Sequence, residues 1–226
     1  KADPHFRMVP LSLEIGEYRI MDDEHFDQAD FIKKMASSSI GAKTACPSPE
    51  AFQKAIEESD ADEVYIVTLS DQLSGTYQAA KIGIDLYTEA HEDSPKKIHL
   101  FNSKSASAGE CKLCLDIQEC KEAGLGFVEV VDIVEKKCND IVTVFVLESL
   151  ETLRKNGRLS SVKSFLASAL NIKPVMGAVN GTIVKLDQQR GMQKALKKMV
   201  QLAVERAGGA EAVKEKRLVI THVNAP

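Results

Sequence analysis

Val64-Tyr-Ile-Val-Thr-Leu69 runs directly into Ser70-Asp-Gln-Leu-Ser74-Gly75-Thr76-Tyr77. The first run is continuous and apolar, as a buried strand requires. The Ser/Gly/Thr turn after it opens at once into a helical pattern. In an open α/β sheet that junction is where ligands bind, because free backbone N–H groups and the positive end of the helix dipole face the crevice. No glycine-rich or Walker phosphate fingerprint accompanies the turn, so the anion it suits is a carboxylate rather than a nucleotide.

Outward from this junction the chain alternates. Upstream, Asp30 to Ser38 reads as a helix with Phe31, Ile32 and Met35 on one face, broken by Ser37 to Gly41. Ser48 is a good N-cap and Pro49 suits the first helical position of the next helix, whose stripe is Ala51, Phe52, Ala55 and Ile56. Downstream come a helix after Ser74, a strand Ile98 to Phe101, a helix Ala106 to Ala123 stopped by Gly124, and a helix Val128 to Cys138. Ile141 to Leu147 is β-branched and continuous, as for a strand buried on both faces. Strands and helices at this spacing predict βαβ units and a mostly parallel sheet.

After Leu150 the pattern changes. Glu151 to Lys155 closes on Asn156-Gly157-Arg158, and Ser160 and Ser161 open a helix through Leu170. Ile172 to Val179, Asn180-Gly181, and Thr182 to Leu186 form a hairpin with the preferred Asn-Gly turn. A helix from Gly191 to Ala207 and a strand Arg217 to His222 complete the pattern. The expected architecture is α/β: an α/β/α domain over residues 1–156 with a mostly parallel sheet, then a smaller α+β domain over 157–226 containing the hairpin. Val9 to Leu13 and Tyr18 to Ile20 read as a hairpin entry, and both chain ends read as cut.

Composition sets the outer limits. Of 226 residues, 44% are hydrophobic and 27% charged, ordinary for a soluble globular chain, and the net charge of −4 offers no global field to nucleic acid or anionic membrane. No apolar run approaches the roughly 20 residues of a membrane span. Five cysteines, an odd number without framework spacing, point to a reducing cytoplasm. Cys111-Lys-Leu-Cys114 admits a redox or zinc reading, but zinc lacks two further ligands; Cys111, Cys114, Cys120 and Cys138 are expected to be small helix-core residues.

Thr44-Ala-Cys-Pro-Ser-Pro49, Leu73-Ser-Gly-Thr-Tyr-Gln-Ala-Ala80, Leu150-Glu-Thr-Leu-Arg-Lys-Asn-Gly-Arg-Leu-Ser160 and Leu170-Asn-Ile-Lys-Pro174 together resemble the DegV family. The segment from Gly181 to Arg190 supports the match in the right order, and coverage is nearly the whole chain. The resemblance implies a bacterial cytoplasmic carrier in phospholipid metabolism. Such a carrier buries a long-chain fatty acid and presents its carboxylate to a separate, ATP-dependent kinase subunit that makes the acyl phosphate. It implies no catalysis by the chain itself, no metal, no cofactor and no stable membrane insertion. It assigns the carboxylate to Thr44 and Ser74. The chain departs from the family in having Ala45 and Cys46 where Ser and Gln are common. It also lacks the family's opening Asp-Ser strand and its late His-x-Gly-Pro-Gly motif, and His222 does not fill that role.

Each candidate has an ordinary alternative. Ser74 suits a helix N-cap bonding the Tyr77 N–H, in which case the N–H groups of Gly75 and Thr76 carry the carboxylate. Ser70, Asn102 and Ser103 end adjacent strands, where crevice residues collect, but also suit plain turn chemistry. Arg158 and Arg190 are either surface charge or contacts to the kinase partner or its phosphate; Arg154, Lys155 and Lys163 make the neighbourhood of Arg158 locally basic. The rival function is a serine hydrolase or acyltransferase with Ser74 as nucleophile, which needs a His base that no signature supplies here.

Overall fold

A tight turn at Gly16, held at φ +60°, joins β1 (Ser12–Ile15) to β2 (Tyr18–Met21) as the expected antiparallel hairpin. β3 (Lys43–Ala45) pairs antiparallel with the other edge of β1, which places Thr44 opposite Leu13. The buried side of this sheet carries Ile15 and packs against Phe31 of α1 (Gln28–Ser37). In the computed structural model the described residues are 5–159 and 171–223. By compactness the chain forms two units, Lys1–Ile66 with Ser74–Leu100, and Val67–Leu73 with Phe101–Pro226.

In the first unit, α2 (Pro49–Glu57) starts as its sequence requires: the Ser48 side chain accepts the Ala51 N–H and Pro49 occupies the first turn. α3 (Thr76–Ala90) lies against α2 through Phe52, Ala79 and Ala80. Gly83 makes that approach possible, since a Cβ there would stand 2.5 Å from the Pro49 carbonyl oxygen. β4 (Glu63–Thr68) and β5 (Lys97–Asn102) are paired strands that begin in this unit and whose last two residues, Val67–Thr68 and Phe101–Asn102, count with the second. Lys97 N donates to Asp62 O at one end and Ser103 N to Thr68 O at the other; the equal offset makes the pair parallel.

In the second unit, α4 (Ala108–Glu122) and α5 (Phe127–Asp140) are joined by Asp116, 3% exposed, which accepts from Lys112 Nζ at 2.6 Å and Lys137 Nζ at 2.9 Å. β6 (Val144–Val146), β7 (Ile172–Val179) and β8 (Thr182–Arg190) form an antiparallel sheet in that order. Asn180 and Gly181 both take positive φ at the hairpin tip, as a two-residue primed turn demands. One core cluster is Leu159, Met176 and Ile183, with Leu73 and Phe145 packed against it. α6 (Glu151–Lys155) precedes it and α7 (Met192–Arg206) follows the sheet.

The chain is thus mixed α/β, with one parallel pair and antiparallel hairpins among the described residues. Two strand expectations change. β6 is short, half-buried and antiparallel to β7 rather than a doubly buried parallel strand. Arg217 to His222 is irregular and follows a 3-10 turn at Ala212–Glu215, with Leu218 and Ile220 exposed. β-branched composition favours a strand, but a strand exists only through a partner. The helix expected from Ser160 through Leu170, and Lys163 within it, lie outside the described residues. Among the described residues no helix is long and apolar enough to cross a membrane.

Candidate functional site

The turn between β4 and α3 is built by its own side chains. Gly75, not Ser74, is the N-cap of α3, and the first helical hydrogen bond runs from Ala79 N to Gly75 O at 2.9 Å. The N–H groups ahead of that bond are the donors every helix start leaves pointing outward. Ser74 Oγ accepts the Thr76 N–H at 3.3 Å and shares a 2.8 Å hydrogen bond with Thr76 Oγ1. The expected Ser74-to-Tyr77 cap is therefore replaced by a shorter ring within Ser74–Thr76. Thr76 is buried, Ser74 half-buried and Gly75 exposed. The ring closes at Thr76, one residue short of Tyr77, because the cap falls on Gly75.

Thr44 lies on exposed β3, one residue from Ala45 and two from Cys46. A Cβ added to Gly75 would meet Cys46 Sγ at 3.5 Å, so the β3 end and the Ser/Gly/Thr turn are neighbours within the first unit. Two sequence motifs far apart in the chain thereby converge. The hydrogen bonds of Ser74 Oγ go to Thr76, and nothing in this geometry supports a serine nucleophile, which needs an imidazole on its hydroxyl.

Ser70 and Ser103 are occupied otherwise. Both are fully buried. Ser70 Oγ donates to the Gly181 carbonyl at 2.8 Å and accepts the Gln72 N–H at 3.2 Å. Ser103 Oγ donates to Ser105 O and accepts from Ser105 N, each at 3.1 Å. A hydroxyl carries one proton, and in both residues a backbone carbonyl already takes it. Asn102 likewise serves the turn, its Oδ1 accepting from the Asp71 and Lys104 amides.

Arg158 is half-buried; its Nε donates to Leu73 O at 3.2 Å and its guanidinium also reaches Asn156 O. It lines a polar cavity of about 280 Å³ with Gln72, Asn156, Gly157 and Thr182. Arg190 is exposed at the end of β8, paired in register with Ile172. The basic cluster is partly neutralised: Arg154 makes a two-pronged ion pair with Glu151 that Lys155 also approaches, which holds the Glu151 carboxyl below its usual range. Gln72 and Thr182 were not singled out from sequence. The Asn-Gly turn beside Thr182 was the available signal.

The cysteines divide. Cys120 and Cys138 are buried as expected, whereas Cys111 is exposed and Cys114 half-buried. All five thiols are free. Burial pushes Cys114 up to about 11 and Cys138 up to about 12, the reverse of an activated redox thiol. Among the described residues no His, Cys, Asp and Glu group could hold a metal ion.

A family model described as an uncharacterised protein of the DegV family matches residues 1–226. A DegV domain-containing protein of Streptococcus pyogenes serotype M1 is 35% identical over 198 residues, covering 87% of this chain and 69% of that protein. Among solved structures, a DegV family protein of Ruminococcus gnavus refined with vaccenic acid is 46% identical with a TM-score of 0.85, covering 90% of this chain and 72% of that one. The fatty acid kinase B3 protein of Streptococcus pneumoniae loaded with linoleic acid is 32% identical with a TM-score of 0.77, covering 88% and 68%. From its motifs, its fold and this similarity, the chain belongs to the DegV family.

Proposed function

We propose that this chain is a carrier that buries a long-chain fatty acid and presents its carboxylate to a separate kinase subunit for conversion to the acyl phosphate with ATP. The observation that carries the reading is the likeness, at 46% identity, to a structure containing vaccenic acid. A neighbour that is a fatty acid kinase B protein supports the kinase partner. The carboxylate sits at the Ser74–Gly75–Thr76 turn with Thr44 as its second hydroxyl. Ser74 Oγ accepts the Thr76 N–H, and either hydroxyl can donate in its bond with Thr76 Oγ1, so a carboxylate oxygen takes the one hydroxyl proton of the pair that this bond does not use. Hydrogen bonds to a charged oxygen are shorter and stronger than neutral ones, and the positive end of α3 adds to them.

In this reading Ser70 and Ser103 support the site without touching the ligand. Arg190, exposed at a strand end, and Arg158, through its remaining donors, contact the kinase partner or its phosphate. The tail supplies most of the affinity, at about 0.8 kcal/mol per buried methylene. The carboxylate contacts supply orientation. The chain does no chemistry and works in the cytoplasm. Protein purified from lipid-containing cells is expected to release fatty acid in stoichiometric amount on solvent extraction, seen by mass spectrometry. Protein that emerges empty and takes up no added palmitate refutes the reading.

A further inference from the structure

The loop that leads into the proposed carboxylate turn is fastened from two directions, by residues distant in sequence. Ser70, fully buried, anchors its start: the Ser70 N–H donates to Ser105 O at 2.9 Å and its hydroxyl donates to Gly181 O at 2.8 Å. The same hydroxyl accepts the Gln72 N–H, and Ser70 O accepts the Leu73 N–H at 3.0 Å. Arg158 Nε then takes Leu73 O at 3.2 Å. The residue bonded covalently to that carbonyl carbon is Ser74.

Gly181 is fitted to this arrangement twice. Its φ of +78° suits glycine, and a Cβ there would lie 2.3 Å from Ser70 Oγ. The hairpin tip therefore offers its carbonyl to Ser70 only while that position is glycine.

We propose that Ser70, held by the Gly181 carbonyl, is a positioning residue that fixes the backbone at Leu73 and so sets the aim of the donors beginning at Ser74. This rests on the carrier reading. The hydroxyl does not touch ligand, because its proton is spent on Gly181. Its effect reaches the ligand only through the path of the chain, and so acts on the head group and not on the tail. Misplacing preorganised donors weakens what they bind without changing which groups are present.

The test compares palmitic acid with 1-hexadecanol, which has the same tail and no carboxylate. Wild-type protein is expected to bind the acid more tightly than the alcohol in a displacement titration. Ser70→Ala is expected to weaken the acid about tenfold, the scale of one misaligned charged hydrogen bond, and to leave the alcohol within about twofold. Equal weakening of both ligands, as general loosening of the fold produces, overturns the proposal, as does no change in either. In unmutated protein, hydrogen exchange gives a second reading. The Gln72 amide is expected to be slowed further by palmitate than by hexadecanol, and equal protection by the two overturns the proposal. Wild-type protein that binds neither ligand defeats the carrier reading itself, a pattern distinct from either failure of the positioning role.

Discussion

Ser74→Ala removes one hydroxyl from the turn and leaves the backbone donors of Gly75 and the first turn of α3 in place. The ring it belongs to is small: Ser74 Oγ meets the Thr76 N–H and Thr76 Oγ1. Ser74 is half-buried and is not the helix N-cap, so water can replace it, and the folding cost stays below about 1 kcal/mol. Binding loses more. A hydrogen bond to a charged group contributes about 1.5–3 kcal/mol, and about 1.4 kcal/mol is a factor of ten, so palmitate binding weakens by roughly 10- to 150-fold. The tail still offers a gross ~11 kcal/mol over about fourteen methylenes, so the variant continues to bind. Isothermal titration with palmitate, run beside a urea melt, separates the two quantities. An unchanged Kd refutes the assignment of Ser74 as a carboxylate donor. A melt shifted by several kcal/mol refutes the view that the residue is dispensable to the fold.

Two further outcomes follow from the packing. Burial pushes the Glu110 carboxyl well above the ordinary glutamate range, up to about 7, with its hydrogen bond from the Ser107 N–H pulling the other way. The folded chain then holds this proton more tightly than the unfolded chain. Its contribution is complete below the unfolded value and is lost as pH rises toward 7, by up to about 3 kcal/mol. Glu110→Gln keeps an acceptor for Ser107 and should flatten that slope; parallel stability profiles of variant and wild type between about pH 5 and pH 8 contradict it. Gly83→Ala forces a Cβ to within 2.5 Å of Pro49 O and 2.7 Å of Phe52 Cβ. It should lower stability by about 1–3 kcal/mol despite alanine's better helix propensity, and a urea midpoint at or above wild type contradicts the close approach of α2 and α3.

The legible parts of this molecule were those whose cause is local. Ser48-Pro49 starts α2, and Asn180-Gly181 turns the β7–β8 hairpin, because a cap and a primed turn are decided by a few adjacent residues. The family motifs were legible for the same reason: each is a short run of fixed residues. Where a property depends on a distant partner, the reading was less complete. Cys111 shares a helix with buried Cys120, and its exposure depends on which face the rest of the fold covers. The segment from Arg217 to His222 has strand composition and no strand, because pairing is a tertiary event.

The serines make the same division at the site itself. The sequence alone placed Ser70, Ser74 and Ser103 at carboxyl ends of strands or in the turn beyond them, offered the Ser/Gly/Thr turn as a candidate anion cradle, and pointed to the family. It could not rank the three hydroxyls. Ser70 finds its acceptor 111 positions away at Gly181, and Leu73 receives Arg158 from 85 positions away. Only the folded chain brings those carbonyls and donors together. A hydroxyl has a single proton to give, so its neighbours in space decide whether it serves the fold or remains for a ligand.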